Sequence, residues 1–311
     1  MRSAFGAGKG SVLPAVSRAR IEQHLKFLEG VRHPMAAPAA LQRACDYLED
    51  TLRALGYAVD LHGFENGGEQ YHNVVATKLG KRRPNQRVLV LAHYDTVAGS
   101  PGADDNASGV ALLLELATIF KQWQPEVTLQ FIGVNLEENS GADETGTGLR
   151  GSRALAALAA AQGWAIEAVV VLESVAFAGS SVPQRAPAGV PLQVPPHGDF
   201  LAVIGNELSQ GLVTRFALAA DSFQVALPVV PLVVPGNGEL LPDTRRSDHA
   251  PFWDAGYPAI MLTDTTNFRN PHYHQHSDTI DTLNLSFATR VCEATAAFLL
   301  GLTDGEGEAP R

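Results

Sequence analysis

Apolar residues return every three or four positions from Val16 to Leu28 and again from Leu41 to Leu55, which predicts two amphipathic helices with Gly30 and Gly56 as plausible stops. The pattern then changes period. Asn73–Leu79 reads as a strand, and Arg87–Ala92 is a continuous apolar run, as expected of a strand covered on both faces. A loop rich in Gly, Pro and Asp, Gly99 to Asn106, leads into a helix over Ala107–Trp123. Further strands are predicted at Val127–Val134, Ala168–Leu172, Phe200–Ile204, Val225–Val234 and Ala259–Thr263. Helices are predicted at Ser152–Ala161, Leu208–Ala220 and Ser286–Leu300. Five prolines between Val182 and Pro196 exclude a regular helix there and mark a surface excursion. Strands alternating with helices predict an α/β fold: a single domain over residues 14–302, with a central, mostly parallel mixed sheet flanked by helices.

Composition narrows the function classes. The chain has 311 residues, 45% of them apolar and 18% charged, which excludes wholesale disorder and a chain built mainly of membrane spans. Its net charge of −10 repels phosphate backbones, so neither nucleic acid nor a membrane is expected as a partner. Lys81-Arg82-Arg83 reads as a turn between strands. Cys45 and Cys292 lie in apolar helical patterns and read as buried thiols, with one long-range bridge left open. Gly6 to Gly10 and the tail from Thr303 to Arg311 are expected to be loose. Met1 to Leu13 has no continuous apolar core of a signal peptide, and no run reaches about 18 apolar residues, so a cytoplasmic location is expected.

The reactive side chains gather where strands end, which is where open α/β sheets form their sites. His93-Tyr94-Asp95 follows the apolar run, and strand alternation puts His93 and Asp95 on one side and Tyr94 on the other. Asp104-Asp105-Asn106 precedes a helix; one such residue suffices for a cap, and the surplus suggests a cation. Glu137-Glu138 follows the strand ending at Val134, and paired carboxylates repel unless a cation or proton intervenes. Glu173 closes another strand. His272, His274 and His276 share the last long loop with Tyr273. Each cluster alone also has an ordinary reading as a solvated strand end, a cap or an acidic loop. Together they hold the histidines and carboxylates that two divalent ions about 3.5–4 Å apart would need. Ser247-Asp248-His249 is not a serine-hydrolase relay, because adjacent residues cannot form one and no Gly-x-Ser-x-Gly elbow exists. Asp248 and His249 read as polar groups of the cleft or of the structure. Val229, Val230, Leu232, Val233 and Val234 suit either a side-chain pocket or a core strand, and residues 176–246 either a wall or a lid.

The ordered set of motifs resembles the zinc aminopeptidases of family M28. It comprises His93-Tyr-Asp95, Pro101-Gly-Ala-Asp-Asp-Asn-Ala-Ser-Gly109, Leu136-Glu-Glu138, Leu149-Arg-Gly-Ser152, Ser247-Asp-His249 and Asn270-Pro-His-Tyr-His274 with Asp278-Thr-Ile-Asp281. The resemblance implies a zinc-exopeptidase fold and two zinc ions per chain, with cobalt or manganese as substitutes. It implies that His93 and Glu173 hold one ion, Glu138 and His274 the other, and that Asp105 bridges both. It implies Asp95 as the group that orients His93, Glu137 as general base toward a metal-bound water, and Tyr273 as a donor to the oxyanion. The expected substrate is a peptide with a free N-terminus. Two departures stand out. Many members have aspartate where Glu173 stands, and nine residues, Asn139 to Thr147, separate Glu138 from Gly148, as in a bacterial branch of the family. Two other functions fit the same fold: a glutaminyl-cyclase-like acyltransferase with one zinc on Asp105, Glu138 and His274, and a non-catalytic binding module.

Overall fold

Val88, Leu89, Val90 and Leu91 are all fully buried, and they divide between the two faces of one sheet. Val88 and Val90 belong to one core cluster, Leu89 and Leu91 to the other. That is the consequence of a period of two in a strand with helices above and below. The computed structural model describes residues 15–138, 148–186 and 193–304. The expectations for Gly6–Gly10, for Asn139–Thr147, for the middle of the proline-rich segment and for the tail beyond Asp304 lie outside the described residues.

The strands are β1 (Ala58–Asn66), β2 (Glu69–Lys78), β3 (Arg83–His93), β4 (Val127–Val134), β5 (Ala165–Glu173), β6 (Leu201–Asn206), β7 (Val229–Val234) and β8 (Ala259–Thr263). They form one sheet in the order β1-β2-β4-β3-β5-β8-β6-β7. The centre, β4-β3-β5-β8, is parallel throughout, and β6 pairs parallel with β7. The β1–β2, β2–β4 and β6–β8 pairs are antiparallel. The sheet is therefore mixed, with its parallel block in the middle, and the carboxyl ends of β3, β4, β5 and β8 open on the same edge.

Helices α1 (Arg18–Leu28), α2 (Pro38–Ala54), α3 (Gly109–Phe120), α5 (Gln210–Ser222) and α7 (Leu285–Thr303) cover one face. Helices α4 (Arg150–Ala161) and α6 (Ala250–Asp254) cover the other. Helix α7 is 19 residues long with a mean hydropathy of 1.3, enough by length and composition to cross a bilayer, yet 72% of it is buried within the fold. Its partners include α5, through the Phe216–Phe298 edge contact. Cys45 and Cys292 are both free and buried, so the thiol reading holds and the bridge does not form.

Strand β1 has no counterpart in the sequence reading. It is an edge strand that alternates between half-buried and exposed residues, so it lacks the apolar run that marks a central strand. Strand β7 closes the other edge and begins at Val229, four residues later than its apolar pattern suggests. It serves both roles left open for it: Val229 packs on the core, while Val230 and Leu232 line a cavity.

Candidate metal centre

His93 is the last residue of β3 and fully buried. Tyr94 turns into the core on the opposite side and its hydroxyl donates to the His72 carbonyl at 2.7 Å. Asp95 returns to the side of His93, its Oδ1 3.5 Å from Nδ1. The Asp95 carboxylate does more than orient the ring. It accepts the backbone N–H groups of Glu137 and Glu138, both at 3.1 Å. One carboxylate thus fixes the end of β3 against the turn after β4.

The loop before α3 is held from several sides. Gly102 has φ +60°, a region that favours glycine, and its carbonyl accepts from the guanidinium of buried Arg32 at 3.0 Å. Arg32 also donates to the Tyr94 carbonyl at 2.8 Å, and its burial lowers its pKa to about 10. The cap role falls to Asn106, whose Oδ1 accepts from the Gly109 and Ser174 backbone N–H groups. Asp104 instead reaches across the site, accepting from the Ala176 N–H at 3.0 Å and the Asn270 amide at 2.8 Å. Asp278 accepts the backbone N–H groups of both Asp104 and Asp105. Asp105 is left with its own carboxylate free of the loop.

That carboxylate stands between two clusters. Its Oδ1 lies 3.2 Å from His93 Nε2, and Glu173 Oε2 lies 3.5 Å from the same nitrogen. Its Oδ2 lies 3.1 Å from His274 Nε2, and Glu138 Oε1 lies 3.1 Å from that nitrogen. Ligands 2.0–2.1 Å from a tetrahedral ion are about 3.3 Å from one another, so both triads have the edge lengths of a zinc site. His93 Nε2 and His274 Nε2 are buried without hydrogen-bond partners among the described residues, which is how a metal-binding nitrogen is left. The donor set is imidazole and carboxylate, and it fits a divalent cation at each triad. All five expected ligands meet here.

Without cations the cluster is electrostatically unfavourable, and its pKa values show it. Burial, then the neighbouring charges of Glu138, Glu173 and Asp248, pushes Glu137 well above the carboxylate range despite nearby His93. Burial and the Asp105 charge raise Glu138 to about 7. For His274, burial opposes protonation, but the adjoining carboxylates of Asp105 and Glu138 outweigh it and raise the pKa to about 10. His93 is raised for the same reason against full burial, with Glu173 the strongest neighbour. Two dications at the triads would relieve this repulsion.

Glu137 belongs to neither of these two triads; its Oε2 is 3.9 Å from His93 Nε2, at the lip of the site. Tyr273 stacks on the His274 ring with centroids 3.8 Å apart. Of the three loop histidines only His274 joins the centre. His272 bonds Ser277 at 2.9 Å and His276 is exposed. His249 turns to the Thr244 carbonyl at 2.7 Å and packs edge-on against Trp253, so it is a structural residue. The sequence reading gave Ser247 no function, yet its hydroxyl donates to Glu173 Oε2 at 2.6 Å. Its place beside Asp248 and His249 is the signal available in the sequence.

A buried carboxylate and imidazole centre at the carboxyl ends of parallel strands defines a hydrolase-type metal site. The profile described as Peptidase family M28 matches residues 73–299, and the chain belongs to that family. It is a hydrolase. An uncharacterized Escherichia coli protein, YfbL, is 30% identical over 90% of this chain and 87% of its own. A probable zinc metalloprotease of Leptosphaeria maculans is 28% identical over 76% of this chain, which spans 58% of that longer relative. Among solved structures the fold is similar to LapB of Legionella pneumophila, with a TM-score of 0.71, 22% identity, and 93% of this chain and 72% of that one covered. It is also similar to the Macrostomum lignano glutaminyl cyclase, with a TM-score of 0.75, 20% identity, and 96% and 95% covered.

Proposed function

We propose that this protein is a two-zinc aminopeptidase. The observation that carries the reading is the Asp105 carboxylate, with one oxygen in each triad. His93 and Glu173 would complete one zinc site, Glu138 and His274 the other. Relatives named as probable zinc metalloproteases and neighbours titled aminopeptidases support the choice of metal and reaction. A single-zinc cyclase would leave His93 and Glu173 without work, although both are buried and aimed at Asp105.

Zinc at these positions would supply a water of lowered pKa and polarise the scissile carbonyl. The protein's own groups do the rest. Glu137, buried on the cavity wall with its Oε2 3.9 Å from His93 Nε2, accepts a proton from the attacking water and returns it to the leaving amine. Tyr273 accepts a hydrogen bond from Arg246 at 3.1 Å, so its own proton is free to donate to the developing oxyanion. Acidic groups around the triads attract a free N-terminal amine. Beside them a cavity runs between β6, β7 and β8, walled by Phe200, Ala202, Ile204, Val230, Leu232 and Met261. These walls suit a large apolar first side chain, because burying one in such a pocket is worth about 1.5–3 kcal/mol.

The test is metal analysis together with hydrolysis of a panel of aminoacyl anilides, with and without chelator. Two zinc equivalents per chain and chelator-sensitive release from leucyl or phenylalanyl anilide are expected. One equivalent, with cyclisation of an N-terminal glutamine and no anilide hydrolysis, would move the assignment to the acyltransferase.

A further inference from the structure

Two guanidinium groups line the cavity that opens onto Asp105, Glu137 and Glu173, those of Arg185 and Arg246. Arg185 is exposed and donates to the Asn267 carbonyl at 2.7 Å. Arg246 stands nearer the chemistry. Its Nη2 donates to Tyr273 Oη at 3.1 Å and its Nη1 to Asn267 Oδ1 at 3.0 Å. Among the described residues Nε has no partner, and the carboxylate within ion-pair reach is Asp243 at 3.7 Å, with the two side chains 41% and 38% exposed. A solvated pair at that distance contributes little. Among the described residues Arg246 is thus a weakly paired cation on the cavity wall.

Its position limits what it can bind. The guanidinium carbon is 5.7 Å from the centre of the Tyr273 ring, which itself stacks on His274. Arg246 Nη2 is 3.1 Å from Tyr273 Oη, the group proposed to meet the oxyanion, and one residue advances the chain by about 3.5 Å, so the carboxylate of the residue beyond the cut bond falls within the guanidinium's reach. An amine would be repelled there, and a carboxylate would gain charge-assisted hydrogen bonds. We propose that Arg246 anchors the C-terminal carboxylate of a dipeptide, so that the enzyme favours free dipeptides over longer or C-terminally blocked chains. This rests on the aminopeptidase reading above. It makes Arg246 a substrate-binding residue with two tasks, holding the Tyr273 oxygen and orienting the peptide amine-inward.

The experiment compares kcat/KM for Leu-Leu and Leu-Leu-amide on the zinc-loaded enzyme. The free acid is expected to be preferred by about tenfold or more. In Arg246→Met the ratio should fall to about one, whatever happens to the absolute rates, and Arg246→Lys should keep part of it. A readout without turnover is the affinity of a Leu-Leu analogue with CH2–NH in place of the peptide bond, as acid and as amide. Its acid preference should vanish in Arg246→Met. Equal use of acid and amide by the wild type, or an unchanged ratio in Arg246→Met, overturns the anchor while leaving an aminopeptidase. Turnover of neither substrate overturns the peptidase reading and the anchor with it.

Discussion

Glu137 and Glu138 are neighbours in the chain, and their distances suit the two different roles proposed for them. Glu138 touches His274 at 3.1 Å, whereas Glu137 stands 3.9 Å from His93. Glu137→Gln should therefore keep its zinc and lose turnover by about 10²–10⁴-fold, the usual worth of a positioned proton acceptor. Loss of metal in that variant would make Glu137 a ligand instead. Ser247 acts through Glu173. Removing its hydroxyl in Ser247→Ala should weaken zinc affinity by about 10–100-fold, read by competition with a chelator, while the fold stays intact. A third residue concerns stability alone. His24 is buried in α1 with Nδ1 2.7 Å from the Tyr47 hydroxyl, and burial, then the Arg20 charge, lowers its pKa to about 4. Its folded pKa lies below the ordinary value near 6.5, so the unfolded chain takes the proton first. Its contribution is present above about pH 6.5 and is lost as pH falls toward 4. Urea unfolding of His24→Leu should lose about 1.4 kcal/mol per pH unit less than the wild type across that window. Parallel pH profiles for the two proteins would contradict it.

At the scale of elements, the central strands were legible because burial on both faces leaves an unbroken apolar run, as in Arg87–Ala92. The edge strand β1 was not, since half-exposed residues such as His62 and Glu65 carry no such run. The gathering of the five proposed ligands, His93, Asp105, Glu138, Glu173 and His274, was legible because the motifs stand in the order of the family they resemble. Of the site's supports, Asp95 was legible beside His93, but the long-range ones were not. Asp278 lies more than 170 residues from the Asp104 and Asp105 N–H groups that it accepts, a pairing that no local pattern encodes. Gly109 is another such support. A Cβ there would stand 2.3 Å from Asn106 Oδ1 and 2.6 Å from the Leu172 carbonyl. Both atoms belong to the framework that sets Asp105 against β5. Gly109→Ala should thus unseat Asn106 and lower zinc content as well as thermal stability, by about 1–3 kcal/mol for forced overpacking. Full zinc occupancy at wild-type stability would show that the loop can give way.

Over the whole molecule the sheet works as a mount. Its parallel centre brings four strand ends to one edge, and its β6–β7–β8 side continues beyond them as the cavity wall. Strand β7 is the outermost strand on that side.

Strand β7, Val-Val-Pro-Leu-Val-Val, is nearly all branched aliphatic, and Val233 is 36% exposed. Such a border is a template on which a neighbouring copy could add its own strand and begin a fibril. Pro231 interrupts the row of donors at mid-length and acts as a gatekeeper. Pro231→Val would remove it and leave six aliphatic residues in succession. We expect that variant to keep its zinc but to sediment and bind amyloid dyes at concentrations where the wild type stays dispersed. Behaviour identical to the wild type would place the protection elsewhere on the border.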